Sequence, residues 1–429
     1  MGPDQFTFLH AADLHIDSPL VGLVRYDGAP VEELRAATRR AFENLVDAAL
    51  SRGVAFVILA GDLFDGDWKD YGSGLWFSSQ LRRLSKVAIP VYLIRGNHDA
   101  ESRVQKKLAL PDGVKQFPPK APKTFKIKGL GVALHGQSFA EAHVTENLAA
   151  GYPNAVAGML NIGVLHTGLE GYEGHGVYAP CTQDDLASKG YDYWALGHIH
   201  KREVLCEDPW IVFPGNLQGR HARETGPKGA TLVHVEGGKV QGVEELHLDV
   251  SRWAHARVDI SAAASEADAL KSVEAAIRGE LGGADGRPLA VRVTLLGETI
   301  LDAGFRLDPE RLRAEIRSRS MHLGGDVWVE KVRLETRPNR EVTVEHGDGM
   351  LALAQNIAEA ELSDDDVRAL STQLHKLEGR LPSGARESIQ PTDPESIKRA
   401  VGPARRFLAA LLAESSAAPG SASGQEEEA

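Results

Sequence analysis

Cysteine is nearly absent. The 429 residues hold two, Cys181 and Cys206, and nothing around either suggests a paired framework. That excludes a disulfide-stapled scaffold, and a large cysteine-poor chain of this kind is expected to be cytoplasmic. Long apolar runs are missing too: no stretch approaches the roughly 18 residues of a membrane helix, so no membrane association is expected. The first fifteen residues carry no basic n-region and no cleavable apolar segment, so no export signal is expected. Phe6 stands where a myristoylated Met-Gly start requires Ser or Thr. Internal repeats are lacking. An excess of basic residues is lacking as well: 60 acidic residues stand against 48 basic ones, a net charge of −12. Phosphate neutralisation dominates nucleic-acid binding, so this acidity argues against a tight autonomous grip on DNA. Two features soften the objection. A carboxylate-rich site adds negative charge that bound cations offset, and part of the excess sits in a tail around Glu426, Glu427 and Glu428.

Hydrophobic residues make up 42% and charged residues 25%, as in globular proteins with a substantial core. The length allows two or three domains. Up to about residue 249, short apolar runs alternate with helical stretches, the pattern of an α/β layered fold. Strands are expected at 6–12, 54–60, 91–95, 131–135, 162–166 and 193–196, and later at 210–213, 230–235 and 240–248. Leu34, Ala37, Ala41, Leu45, Ala48 and Ala49 recur at helical spacing, which makes 31–52 an amphipathic crossover helix. Residues 250–338 read strand, helix, strand, helix, strand, a small α+β domain with Ser265 as an N-cap. Residues 345–413 form a separate helical region. It has a helix at 351–360, a second that Ser363 caps, a linker at 381–394 and an amphipathic helix with Ile397, Val401, Phe407 and Leu411. Residues 414–429 are expected to be a disordered acidic tail.

Five short motifs close apparent strands and share one composition. They are Asp13-Leu14-His15, Gly61-Asp62-Leu63-Phe64-Asp65, Gly96-Asn97-His98-Asp99, His166-Thr167-Gly168 and Gly197-His198-Ile199-His200. Groups just past the carboxyl ends of strands in an open α/β sheet converge on one crevice. Asp13 and His15 lie two apart, as do His198 and His200, so each pair is expected on one face of an extended chain. Imidazole with carboxylate and without thiolate suits two borderline divalent ions such as Mn²⁺, Fe²⁺ or Zn²⁺, and argues against a structural zinc. Two such ions about 3.5–4 Å apart share a carboxylate and a water, make hydroxide at neutral pH and clamp a phosphoryl group. Asp62 is the natural bridging carboxylate. Any one motif alone is usually a loop accident; five in order, each after an apolar run, are not.

This series resembles the calcineurin-like metallophosphoesterases. Its details are similar to their DNA-repair exonuclease branch, the SbcD/YhaO type of nuclease subunit. Leu9 to His15, Asp192 to Glu203 and Phe213 to His221 carry that likeness. The resemblance implies a sandwich of two sheets flanked by helices, a small α+β domain that caps DNA, and C-terminal helices that dock on an SMC-like ATPase. It also implies a two-metal DNA exonuclease, with Mn²⁺ the leading metal, and a possible homodimer. One metal would be held by Asp13, His15, Asp62 and His200, the second by Asp62, Asn97, His166 and His198. His98 would face the substrate phosphate as a catalytic group, with Asp99 holding its ring. Some members carry histidine where Asp65 stands, which leaves Asp65 as a supporting carboxylate. Many carry His-Gln in place of His166-Thr167. Arg95, Arg220 and His221 are candidate phosphate contacts, whereas His10, His135 and His175 read as core or loop histidines. The rival reading is a phosphodiesterase or phosphatase for a nucleotide or other small phosphoester.

Overall fold

The computed structural model describes residues 4–18, 31–65, 71–101, 109–170, 178–324, 326–339 and 363–378, with 394, 396, 397, 401, 404 and 405 besides. The expected helix at 351–360, most of the linker and of the last helix, the acidic tail and His175 lie outside these residues. The chain divides into two compact units. One comprises 1–256, 274–293 and 317–331, the other 257–273, 294–316 and 332–429.

In the first unit the order is β1 (Gln5–Ala11), α1 (Val31–Arg52), β2 (Val57–Ala60), α2 (Tyr71–Lys86), β3 (Val91–Ile94), α3 (Asn97–Glu101), β4 (Val114–Gln116), β5 (Lys123–Ile127), β6 (Val132–Gly136), β7 (Leu160–His166), α4 (Gln183–Ala187), β8 (Tyr193–Gly197), β9 (Glu203–Glu207), β10 (Trp210–Phe213), β11 (Gly229–Glu236) and β12 (Lys239–His247). They build two six-stranded sheets, ordered β12-β11-β1-β2-β3-β4 and β5-β6-β7-β8-β10-β9. Strands β1 to β4 run parallel, and so do β6, β7, β8 and β10. Antiparallel strands close both sheets at their margins, except at β4.

The period of two along each strand makes the layers. Phe8, Ile58, Tyr92 and Ile94 of the first sheet meet Leu134, Ile162, Val164 and Tyr193 of the second in one buried cluster. The alternate residues Leu9, Val57, Leu59 and Leu93 face the other way, onto Phe42 and Leu45 of α1 and Phe77 and Leu81 of α2. Leu165, Trp194 and Leu196 cover the far side of the second sheet with Leu186 of α4. Strands covered on both faces have no polar side, which is why β2 reads Val-Ile-Leu-Ala without a break. Each large side chain so buried contributes about 1.5–3 kcal/mol. His10 ties the two sheets together: Nε2 lies 3.0 Å from the Leu196 carbonyl and Nδ1 3.0 Å from the Tyr193 hydroxyl. Burial pushes its pKa down to about 3, so it stays a neutral core histidine.

The remaining elements are β13 (Arg252–Asp259), α5 (Glu266–Gly282), β14 (Leu289–Thr299), α6 (Asp302–Leu307), α7 (Pro309–Met321), β15 (Val327–Pro338) and α8 (Asp364–Glu378), with a three-stranded sheet ordered β13-β14-β15. Within the first unit Arg292 grips Glu330 through two hydrogen bonds of 2.8 and 2.9 Å. Within the second, Ser265 caps α5 by accepting from Asp268 N at 3.3 Å, and Ser363 caps α8 by accepting from Asp366 N at 3.2 Å. Strands β4, β5 and β9 and helices α2 and α6 were not anticipated. Their residues mix Gly, Ser, Lys and Glu with apolar positions and show neither period cleanly.

Candidate metal centre

The site is assembled at the carboxyl ends of five parallel strands. Asp13 and His15 follow β1, Asp62 and Asp65 follow β2, Asn97 opens α3 after β3, His166 ends β7, and His198 and His200 follow β8. The first two loops stay laced together past the ladder: Asp13 N donates to Gly61 O and His15 N to Asp62 O, both at 3.0 Å. His198 N donates to Asp13 Oδ2 at 2.9 Å and so joins the second sheet to the first.

The extended-face expectation for the Asp13/His15 and His198/His200 pairs is corrected. β1 stops at Ala11, and Asp13 (φ 52°), His15 (φ 42°), Asp62 (φ 50°) and His198 (φ 106°) all adopt left-handed backbone. They are four of the eight non-glycine residues with positive φ among the described residues. Each such residue costs on the order of 1–3 kcal/mol, and such strain clusters at functional sites. Sharp turns, not a pleat, bring these side chains inward. The glycines leave the room. A Cβ on Gly61 would sit 2.6 Å from His166 Nδ1, and one on Gly197 would run into the Ala60 carbonyl.

All seven candidate ligands come together. Asp13, His15 and His200 form one cluster, His15, Asp62 and His98 a second and Asp62, His166 and His198 a third, the donor atoms of each lying within 4.8 Å of one another. Asn97 Oδ1 lies 3.0 Å from His166 Nε2. The donor set fits a cation. His166 Nδ1 is 2.9 Å from the Ala60 carbonyl, which only accepts, so that nitrogen carries a proton. Nε2 then faces Asn97 Oδ1 and, at 3.4 Å, Asp62 Oδ2, a spot where three electron-rich atoms demand positive charge. Burial opposes charging His166, yet Asp62 and Asp13 outweigh it and lift the pKa to about 9. A divalent ion would displace that proton. In the first cluster His15 Nε2 and His200 Nε2 approach to 3.2 Å. Burial, with Arg220 nearby, pushes His15 down to about 3, so its ring is neutral and able to ligate.

His98 sits at the mouth with its side chain 39% exposed. Its partner is not Asp99, as expected, but Asp65, whose Oδ1 lies 2.9 Å from His98 Nδ1. Asp99 is fully buried and accepts from the backbone N–H groups of Leu63, Phe64 and Gly96, all at 3.0 Å. One residue past a histidine that turns outward, at the start of a short helix, the Asp99 carboxylate points back into the loops and stabilises them. Asp65 also accepts from Ser18 Oγ at 2.7 Å. Burial pushes Asp65 up, but its bonds to His15 and His98 prevail and hold it well below the usual carboxylate range. The same bond raises His98 above an ordinary histidine.

Glu224 was missed. Its Oε1 lies 2.7 Å from His200 Nδ1, and it accepts from Asn216 Nδ2 at 3.0 Å and Arg220 N at 2.7 Å. Carboxylates that hold a ligating imidazole in this way fix its tautomer and direction. A lone Glu in a loop has no periodicity to announce it. Of the candidate phosphate contacts, Arg95 is buried, with Nη2 3.4 Å from the Phe139 carbonyl. Arg220 pairs with Asp65 and Glu224, and His221 is exposed. His135 is a core residue between Thr124 and Asn161.

Comparison with known proteins agrees with this geometry. Residues 6–202 match the calcineurin-like phosphoesterase family, and residues 253–337 match the middle domain of the metallophosphoesterase YhaO. The chain belongs to the calcineurin-like metallophosphoesterases, hydrolases built around a dinuclear metal site. Within them it is 36% identical over 369 residues to the uncharacterized metallophosphoesterase YhaO of Bacillus subtilis (strain 168), covering 83% of this chain and 88% of that protein. DNA double-strand break repair proteins Mre11 are more distant. The one from Sulfurisphaera tokodaii is 29% identical over 231 residues (49% of this chain) and the one from Saccharolobus solfataricus 30% over 218 (48%). The chain spans 57% and 52% of those two proteins. Among the described residues no helix is long and apolar enough to cross a membrane.

Proposed function

We propose that this chain is a metal-dependent DNA exonuclease that hydrolyses phosphodiesters in DNA repair or end processing. The observation that carries the reading is His98, held by Asp65 at the mouth of a seven-ligand cluster. Asp13, His15, Asp62 and His200 would hold one ion, Asp62, Asn97, His166 and His198 the other, with Asp62 between them. When bound, two divalent ions (Mn²⁺ foremost, Fe²⁺ or Zn²⁺ otherwise) supply hydroxide at neutral pH and offset charge on the phosphoryl oxygens. His98, its Nδ1 held by Asp65, would deliver a proton from Nε2 to the leaving oxygen. Asp65 holds Nδ1, so the outward nitrogen is the one that meets substrate. Glu224 holds His200 at its angle.

DNA as the substrate is supported by the Mre11 relatives, which are DNA double-strand break repair proteins. On this reading residues 250–338 cap DNA, and residues 345–413 recruit an SMC-like ATPase that supplies grip the acidic chain lacks. A homodimer and a cytoplasmic setting belong to the same proposal. The test uses EDTA-stripped protein reloaded with Mn²⁺, given end-labelled single- and double-stranded linear DNA beside bis-p-nitrophenyl phosphate. Stepwise shortening from an end is the expected result. Turnover of the small diester with DNA untouched, even after addition of a co-expressed ATPase, would favour a phosphodiesterase for a smaller ester. Deleting 345–429 is expected to abolish co-purification of the ATPase; retained binding would remove that part.

A further inference from the structure

Beside the centre lies an open cavity of about 560 Å³ whose wall runs from His200 through Lys201, Arg220, His221, Arg223 and Lys228. Four fixed cations therefore face one hollow in a chain of net charge −12. Two of them are paired, Arg220 with Asp65 and Glu224 and Lys201 with Glu203, which leaves Arg223 and Lys228 to supply the unbalanced positive charge of the hollow. Lys228 is 8% exposed and donates to the His200 carbonyl at 3.0 Å, so the cation is built into the floor. Arg223 is exposed, and its guanidinium makes no ion pair among the described residues. A cleft lined by one sign of charge concentrates counter-ions, and the arginine fork matches phosphate oxygens in pairs.

We propose that this cavity is a second phosphate subsite: it receives the backbone phosphate one linkage from the scissile one. The proposal rests on reading the His200 cluster as a phosphoester centre. Because His200 belongs both to that centre and to the cavity wall, an ester bound at the centre extends its next phosphate toward Arg223. The cavity thus selects a polynucleotide strand over an isolated diester, and Arg223 is its specificity residue.

The experiment measures competitive inhibition of bis-p-nitrophenyl phosphate hydrolysis by the Mn²⁺-loaded full chain. The competitors are thymidine trinucleotide with both linkages charged and its two isomers with one neutral methylphosphonate linkage. Loss of one charge-assisted contact is expected to raise the inhibition constant about tenfold or more. In Arg223→Ala the gap between charged and neutral competitors is expected to close to about twofold, and Arg223→Lys to restore part of it. Using the ratio of constants cancels any change at the centre itself. A gap below twofold in the parent, or an unchanged gap in Arg223→Ala, overturns the subsite. If the gap holds while long DNA stays intact, the subsite stands and the exonuclease reading falls. If DNA is degraded with no gap, the reverse is true.

Discussion

The two halves of the centre are held by different means. His166 is fully buried at the end of a central strand, and its outer nitrogen is tied to a backbone carbonyl, Ala60, of the facing sheet. His200 is 23% exposed, and its outer nitrogen is tied to a side chain, Glu224, which hangs on a loop and is itself steadied by Asn216 and Arg220. A backbone anchor cannot be substituted away and moves only with the sheets. A side-chain anchor is a chain of separate hydrogen bonds, each removable. The His166 half should therefore be the rigid one and the His200 half the adjustable one, beside the cavity where substrate would extend.

The largest expected effect erases the contrast. Asp62→Ala removes the carboxylate shared by both halves, and metal and activity should fall together to the level of stripped protein, as elemental analysis and diester turnover would report. Next, His98→Ala should keep both ions yet lower turnover by about 10²–10⁴-fold. Loss of metal from that variant would show that His98 is a ligand and break the assignment of roles. Glu224→Gln sharpens the contrast: it should cost about 10–100-fold in affinity for one of the two ions and leave the other near its parent value. A metal titration in which both sites weaken equally would show that the halves are not independently supported. The smallest effect is expected from Asn216→Ser, which removes only one donor to Glu224. A few-fold weakening of the same single ion, with thermal stability within about 1 kcal/mol, is the outcome to check by calorimetry.

Helix α1 was legible to the residue at both ends, and β10 likewise, because an uninterrupted period leaves little choice. The five motifs were legible because like composition recurs after apolar runs, whereas the choice of seven candidate ligands within them rested on the family resemblance. Helix α2 was not: Gly72, Ser73 and Gly74 in its first turn are poor helix formers, and packing of Phe77 and Leu81 on the sheet outweighs them. The partner of His98 was read wrongly because the family resemblance was extended to Asp99, its neighbour in sequence, as the group holding the ring. At the start of a short helix, neighbours in sequence diverge in direction, and Asp65 reaches His98 from another strand.

Composition and patterning alone pointed to a layered α/β fold in the first 249 residues and to five motifs of carboxylates, imidazoles and one asparagine that close its strands, since burial and periodicity are local properties. Only the tertiary structure decided how those atoms are aimed. The left-handed turns at Asp13, His15, Asp62 and His198, the pairing of Asp65 with His98 and the Glu224 brace on His200 join residues distant along the chain. Such contacts are set by the packing of whole sheets against one another, which no short window of sequence encodes.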